Sequence, residues 1–369
     1  MIAEQGLSRR VDPPRLQVNI VDPATDHRWA TLVASHPEGL AYHHPAYLQA
    51  LTDAFGYAPA HLACEDADGN LHGVLPLVYW RGPFRDRQLW SLPRTPAAGP
   101  LATSSAAKDA LVRAAIELTE NEAGHRLQIK SVDPDLAPAN TALRRVEWWP
   151  AHVIQLPDRS EPPRFSKSRR RGINKAKSAN VHVREAESLA DVRAWYQLYL
   201  QVLRQKGSPP LPFRFFEAIW RRMHPHGLLR LLLAERSTAR GRELLAGTML
   251  LPCAQTVIDA FAADRADARR HHPSDLLLGT AIYAAWEASY RIYDLGHVPP
   301  GEEGLAQFKR TWGATPRPTF RYYYPAHHTR MTYGWLHSRG LAMRLMQGAW
   351  RLLPLGLIEL IGGAIYARM

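Results

Sequence analysis

The chain has 369 residues, enough for two or three domains, and its 46% hydrophobic and 22% charged residues are typical of a globular protein with a substantial core. Lysine and arginine outnumber aspartate and glutamate by 46 to 34, which favours anionic partners: phosphates, acidic lipid headgroups or nucleic acid. Cys64 and Cys253 lie far apart in apolar runs, which excludes a disulfide framework. The N-terminus has no long apolar stretch, so we expect no secretory signal and a cytoplasmic location.

The first half of the chain alternates strand and helix patterns after a polar, flexible N-terminus at residues 1–14. Asp68-Gly69-Asn70 is a strong hairpin signal between two of the strands. We predict strands at 16–21, 61–65, 71–80, 87–92, 126–131 and 152–156, and helices at 26–35, 45–55 and 105–122.

The second half has the same order of elements. Ser188 and Asp191 form a capping-box pattern at the start of one helix, and Gly207 ends it. We predict strands at 181–185, 228–234, 244–251, 256–262, 291–295 and 319–324, and helices at 189–206, 213–223, 275–290 and 305–311.

The stretch 291–324 is the densest in chemistry. A strand containing Asp294 leads into a loop broken by Pro299, Pro300 and Gly301, and a short helix carrying Lys309 follows. An acid and a base beside such a loop are equally consistent with a structural ion pair and with a functional site.

The motifs of this stretch resemble a known family. The segment DLG, the spaced residues GL--FK--WG and the final strand FRYYY are similar to the C-terminal motif of FemAB-like proteins, in particular their exosortase-associated branch. The resemblance extends upstream to KSRRRGINKAKSANV and YLQVLRQKGSPPLPFRFFEAI, and it covers roughly residues 40–325. It implies an α/β (α+β) fold of two tandem GNAT-like acyltransferase domains, which also matches the repeated element order. We place the domains at 15–160 and 181–326, joined by a basic linker helix at 161–180.

The resemblance implies acyl transfer and suggests roles for individual residues. Lys309 stands at the position of the family's motif lysine, where a fixed ammonium group stabilises the negative oxygen formed when an amine or hydroxyl attacks an acyl carbonyl. Asp294 orients Lys309 or a substrate amine, acts as a base, or is a structural carboxylate. Glu303 is a weaker candidate. The chain departs from the family at His297, Val298 and Leu305, so the acceptor is left open.

Four further residues are candidates for substrate binding. Arg169, Arg170 and Lys175 belong to a run of seven Lys/Arg within residues 164–177, which we expect at the mouth of the cleft, although a solvated linker helix would show the same run. Ser208, in a Ser-Pro-Pro turn, either faces the cleft or only ends a helix.

An anion site is also expected before the helix at 275–290. GNAT enzymes bind the pyrophosphate of acyl-CoA at the start of this helix, but the usual R-x-x-G-x-G/A loop is absent. The residues that could hold an anion there instead are Arg269, Arg270, His271 and Ser274.

We therefore predict an acyl or aminoacyl transferase acting on an amine or hydroxyl of a cell-envelope precursor or exopolysaccharide. It binds no permanent cofactor and no metal, and its co-substrate is acyl-CoA or aminoacyl-tRNA; nucleic acid is a partner only in the second case. The alternative is a catalytically silent membrane-associated protein that binds a lipid-linked saccharide. Zinc-ligand spacings, a nucleophile elbow and a P-loop are absent from the sequence.

The tail, residues 327–369, is amphipathic. Wound as a helix, it places Leu341, Leu345, Leu352 and Leu353 on one side and Arg344 and Arg351 on the other, which predicts docking on an anionic membrane surface through residues 335–369. The alternative is a helical hairpin packed on the protein's own second domain or on a partner.

Overall fold

The computed structural model describes residues 16–81, 87–121, 126–138, 141–239, 241–326 and 348–367, which form three β-sheets with helices packed on their faces. The α-helices are α1 (His27–Ser35), α2 (Pro45–Phe55), α3 (Ser105–Glu120), α4 (Lys167–Ser178), α5 (Leu189–Lys206), α6 (Phe213–Met223), α7 (Pro273–Glu287), α8 (Glu303–Arg310) and α9 (Leu355–Ala367). The strands are β1 (Gln17–Ile20), β2 (Ala58–Pro59), β3 (Leu62–Glu65), β4 (Leu71–Leu75), β5 (Val78–Arg81), β6 (Arg87–Trp90), β7 (Leu101–Ala102), β8 (Arg126–Ser131), β9 (Arg144–Glu147), β10 (Ala151–Gln155), β11 (Val181–Glu185), β12 (Arg230–Thr238), β13 (Gly241–Cys253), β14 (Thr256–Asp264), β15 (Ile292–His297), β16 (Thr315–Arg317) and β17 (Phe320–Tyr324).

The helix boundaries follow the local signals. The Ser188 side chain accepts a hydrogen bond from the Asp191 N–H at the start of α5, and Gly207 ends that helix in the left-handed region at φ 67°. Gly56 ends α2 in the same way. These two helices confirm that capping residues locate helix ends in this chain.

Two strands pair in the sheet of the opposite half of the chain. The seven-stranded sheet has the order β11-β12-β13-β14-β15-β10-β16, so β10 of the first half lies between two strands of the second half. The six-stranded sheet has the order β2-β5-β6-β8-β17-β9, so β17 of the second half lies between two strands of the first. The boundary predicted at residues 161–180 therefore does not separate the sheets, and the division into domains stays a prediction.

Three apolar clusters hold the layers together. The largest joins α1 and α2 to α5, α6 and one face of the seven-stranded sheet; Trp29, Tyr47, Trp195 and Phe216 are fully or almost fully buried in it. A second cluster packs α4 and α7 on the other face of that sheet. The third packs α3 on the first-half strands. Because the first cluster contains residues from both halves, the halves share a core.

Some predicted elements need correction. The strand predicted at 71–80 is two strands, β4 and β5, in different sheets, and the helix predicted at 275–290 begins at Pro273. The strand predicted at 152–156 exists, but its partners are β15 and β16. The short strands β2, β7, β9 and β16 were not predicted, because two to four residues carry too little pattern to stand out.

The tail packs on the protein where it is described. Ile358 is fully buried, the Glu359 carboxylate accepts from Arg193 at 2.8 Å, and the Tyr366 hydroxyl donates to the Pro209 carbonyl at 3.4 Å. This is the contact that the alternative interpretation of the tail expected. Residues 327–347, which include Leu341, Arg344 and Leu345, lie outside the described residues, and docking on a membrane stays a prediction.

The exchanged strand β17 should hold the first-half core. Tyr322 is fully buried, and its hydroxyl donates to the Asp133 carbonyl at 2.8 Å and accepts from the Leu136 N–H at 3.2 Å. We expect Tyr322→Ala to lower the free energy of unfolding by about 3–5 kcal/mol and to increase amide exchange in β8. Tyr322→Phe, which keeps the ring, should cost about 1 kcal/mol. Urea unfolding with hydrogen exchange measures both, and unchanged protection of β8 in the alanine variant would contradict the role of β17.

Candidate active site

The site is built where two parallel strands stop pairing. β14 and β15 pair only at Thr256–Ile292, Val257–Tyr293 and Ile258–Asp294. Beyond that point β14 continues along β13, while β15 continues along β10. Asp294 is therefore the last residue of β15 that pairs with β14, and the next residue of β14 is Asp259.

Lys309 closes the end of β15. It is the buried residue of α8, and its amine donates to the carbonyls of Gly296 at 2.9 Å and His297 at 3.0 Å. Gly296 has φ 76°, a left-handed conformation that glycine adopts without strain and that lets two successive carbonyls reach one amine. Burial lowers the pKa of Lys309 to about 8, while Asp294 and Asp259 act in the opposite direction. At neutral pH the amine is mostly charged.

Two carboxylates lie within electrostatic range of this amine. Asp294 accepts from the Gly296 N–H at 2.7 Å, and burial raises its pKa. Asp259 accepts from the Tyr293 hydroxyl at 3.2 Å and from the Thr248 hydroxyl, and burial raises its pKa as well. Sequence reasoning missed Asp259; the signal was an acid inside the apolar run TVIDAFAA.

A cavity of about 560 Å³ lies between the first half and the seven-stranded sheet. Asp294 and His297 line it from β15, and Tyr42 and His43 line it from a short 3₁₀ helix, Ala41–His43. His43 is fixed: its Nε2 lies 3.0 Å from the Gly99 carbonyl, and its Nδ1 accepts from the Leu40 N–H. Tyr42 is buried, and burial together with Asp294 raises its pKa well above the usual range. The cavity lining thus includes both a phenol and a carboxyl group.

The wall near His297 is electropositive. Burial lowers the pKa of His297 to about 3, and Arg321, Lys309 and Lys130 add to that shift. The imidazole is therefore neutral, and the Arg321 and Lys309 side chains near it are cations, whereas burial lowers the pKa of Lys130 well below its ordinary value. Such a wall suits an anionic group, or a negative charge that develops during a reaction.

The structure brings Asp294 and Lys309 together but places the other predicted residues elsewhere. Arg169 is not among the residues that line the cavity: its guanidinium group donates to Asp275 at 2.7 Å and to the Thr311 hydroxyl at 2.8 Å, and it lies 4.8 Å from the centre of the Phe308 ring. It therefore ties α4 to α7 and α8. Arg170 and Lys175 are exposed on the outer side of α4, and Glu303 is exposed in the first turn of α8.

The turn after α5 and the start of α7 also lie outside this cavity lining. The Ser208 N–H donates to the Leu203 carbonyl at 3.0 Å, which is a helix-ending contact. Arg269 pairs with Asp264 at 2.9 Å, and Arg270 donates to His271 at 3.1 Å. Ser274 is the second residue of α7 and is half-buried.

The first turn of α7 carries its own negative charge. Asp275 accepts from Arg169 and lies 2.9 Å from His272 Nδ1. A Cβ on Gly172 of α4 would lie 2.1 Å from the Asp275 carboxylate, so α4 crosses directly over this turn. A second anion at this helix start would face that carboxylate.

Comparison with known proteins identifies part of the chain. Residues 163–332 match the family model of the acetyltransferase (GNAT) domain. This stretch is thus similar to a GNAT domain. Acyl-CoA is the co-substrate that goes with such domains. No curated protein sequence matches the chain.

Solved structures extend the likeness to most of the chain. It is similar to the crystal structure of FemX, at 13% identity and a TM-score of 0.67 over 83% of this chain and 96% of that one. It is also similar to the C-terminal domain of a putative lysylphosphatidylglycerol synthetase from Agrobacterium fabrum (15%, TM-score 0.53, 80% and 90%) and to L-PGS from Bacillus licheniformis (12%, 0.52, 86% and 97%). At these identities the likeness shows the fold alone.

The predicted fold class is confirmed. The protein is mixed α/β and GNAT-like, and the parallel pair β14/β15 joined by α7 has a counterpart in β6/β8 joined by α3. Assignment to the exosortase-associated branch stays a prediction. Across the described ranges, no helix is long and apolar enough to cross a membrane, and no group of metal-ligating side chains was found.

The buried amine predicts a pH dependence of stability. The pKa of Lys309 is about 8 in the folded protein, against 10.5 for an ordinary lysine. Between these values the unfolded chain binds a proton that the folded chain has released, so the free energy of unfolding rises with pH. We expect the stability of the wild type relative to Lys309→Met to increase from neutral pH to about pH 9.5. Chemical denaturation of both proteins at each pH measures this difference, in which the titrations of groups that Lys309 does not affect cancel; a flat difference would contradict the lowered pKa.

Proposed function

We propose that the protein transfers an acyl or aminoacyl group to an amine or hydroxyl of a cell-envelope precursor or exopolysaccharide. The observation that carries the proposal is the buried Lys309, held by two carbonyls beside Asp294 where β14 and β15 stop pairing. Asp294 also lines the cavity, which we take as the binding site of the acceptor. The cluster of Lys309, Asp294 and Asp259 therefore reaches the acceptor through Asp294. We place the activity on the inner face of the cell membrane, where lipid-linked precursors are modified.

The proposed reaction follows from the position of Asp294, which lies between the cavity and the Lys309 amine. An acceptor amine or hydroxyl in the cavity attacks the acyl carbonyl, and Asp294, whose pKa burial raises, takes the proton that the nucleophile loses. Negative charge then develops on the carbonyl oxygen. An ammonium group has three N–H donors; the Gly296 and His297 carbonyls use two, and the third stabilises this oxygen. The intermediate then collapses: the bond from the acyl carbon to the ribose oxygen of tRNA, or to the sulfur of CoA, breaks, and the leaving atom takes the proton from Asp294.

Between the two donors, we favour aminoacyl-tRNA over acyl-CoA. The pyrophosphate of CoA would meet the Asp275 carboxylate and the crossing helix α4 at the start of α7. The outer side of α4, by contrast, presents exposed cations that suit a phosphate backbone: Lys167, Arg170, Arg171, Lys175 and Lys177. Structural relatives named for lysylphosphatidylglycerol synthesis are in keeping with aminoacyl transfer.

Lys309→Ala tests the reaction. We expect it to lower turnover by about 10² or more, because the charge partner of the transition state is lost. Lys309→Met keeps the volume of the side chain, and we expect its turnover to fall by the same factor. Arg310→Ala, at the exposed site next to it, should remain active. Transfer of a labelled acyl or aminoacyl group is the measurement, with melting temperatures recorded in parallel. Full activity in Lys309→Met would reject the role of the amine, and a stable, inactive wild type would support a silent binding protein.

Charge reversal on α4 tests the donor. We expect the double variant Arg170→Glu/Lys175→Glu to bind deacylated tRNA at least tenfold more weakly, with a smaller dependence of log K on log salt concentration. Arg214→Glu on α6, which packs on the opposite face of the seven-stranded sheet, is the matched control. Saturable acyl-CoA binding, together with tRNA affinity that the variant leaves unchanged, would reverse our choice of donor.

A further inference from the structure

The outward side of α9 is an apolar surface on a helix whose inner side is fixed to the protein. Ile358 on the inner side is fully buried, and Tyr366 packs against the same cluster. Leu357 and Leu360, in contrast, leave 41% and 69% of their surface exposed, and Leu352, just before the helix, leaves 86%. Contacts of the inner side therefore hold the helix on the protein, and among the described residues its outward leucines have no such contacts to explain them.

The surroundings of this surface are basic. The carboxylate of Glu359 is paired with Arg193 at 2.8 Å, which neutralises the acid of the helix. Arg351 donates to the carbonyl of Gln205 at 2.9 Å and remains exposed, and the neighbouring Lys206 is exposed as well. Residues 327–369 contain five arginines and one glutamate. An apolar strip bordered by cations complements a surface with an oily interior and anionic headgroups.

A second copy of the chain is a poorer occupant for this strip. A helix of 13 residues is about 20 Å long and about 10 Å wide, so one side offers about 200 Å². A stable protein–protein interface needs roughly 800 Å² from each partner. Insertion of three leucines into a bilayer interface needs no matching surface, because lipid chains adapt to any shape.

We propose that the outward side of α9, with Leu352, Leu357 and Leu360, docks on an anionic lipid bilayer while its inner side stays packed on the protein. The helix is too short to span the membrane, which takes about 20 residues, so it lies along the interface. This inference rests on the proposed location at the membrane and not on the proposed reaction. It differs from the docking arc predicted from the sequence, because Leu353 lies against the core.

Vesicle flotation of the full chain tests the proposal. We expect the wild type to float with vesicles of phosphatidylcholine and phosphatidylglycerol, and less with phosphatidylcholine alone or at high salt. Leu360→Glu and Leu352→Glu should each reduce the bound fraction by about tenfold or more, because a leucine then no longer leaves water. Ile20→Glu is the matched control, since Ile20 is 56% exposed and lies on β1 of the four-stranded sheet rather than on the tail. Because Leu352 is the most exposed of the three, its variant should fold even where Leu360→Glu does not.

Two results would overturn the proposal. One is a flotation experiment in which the wild type does not bind the vesicles, or in which neither leucine variant reduces the bound fraction. The other is a wild-type dimer in sedimentation velocity that Leu360→Glu dissociates, which would make a second copy the occupant. An assay of transfer to a soluble acceptor distinguishes failure of this proposal from failure of the proposed function. The leucine variants should keep that transfer activity, whereas Lys309→Ala should lose it and still float with the vesicles.

Discussion

The solvation of one buried ammonium group organises the second half of the protein. A charged amine removed from water needs protein dipoles to replace its hydration shell, or its pKa falls until it is neutral. Lys309 obtains two carbonyls from the end of β15, and these converge only because Gly296 turns the chain in the left-handed region. Asp294 and Asp259 add negative charge on either side of the point where β14 and β15 stop pairing. The position of α8, the turn at Gly296 and the two buried acids are thus parts of one electrostatic arrangement.

The exchange of strands fixes the cavity that this arrangement faces. β10 lies between β15 and β16, so Ala151 and Val153, which line the cavity, are held by second-half strands. β17 lies between β8 and β9 and binds the second half to the first. A hinge between two independent domains would let the walls separate, but here each half contains a strand of the other. The cavity wall that carries Ala151, Val153 and Asp294 is therefore held by hydrogen-bonded strands from both halves.

The sequence predicted local features better than long-range partners. Helix ends at Gly56 and Gly207 were predictable because capping depends on one or two residues. The partners of β10 and β17 were not, because pairing across more than 100 residues leaves no periodic signal in either strand. The motif resemblance located Asp294 and Lys309, yet it could not show that Arg169 is already occupied by Asp275. The sequence of a basic run shows the net charge of the helix. The packing of that helix determines which of its basic side chains are available to bind a ligand.

The described part of the tail, residues 348–367, belongs to the same structural unit as the cavity, although its sequence suggests an appendage. Tyr366 of α9 stacks on Arg94, whose guanidinium carbon lies 3.8 Å from the ring centre, and Arg94 also donates to the Tyr57 hydroxyl at 3.2 Å. Arg94 has φ 66°, an unfavourable backbone conformation for a side chain of its size, and such a conformation persists only where neighbouring contacts hold it. The loop continues directly into Pro96 and Gly99, which line the cavity. One wall of the acceptor space is therefore supported from outside by the helix that we propose docks on the bilayer, so the position of α9 bears on the shape of the cavity as well as on its location.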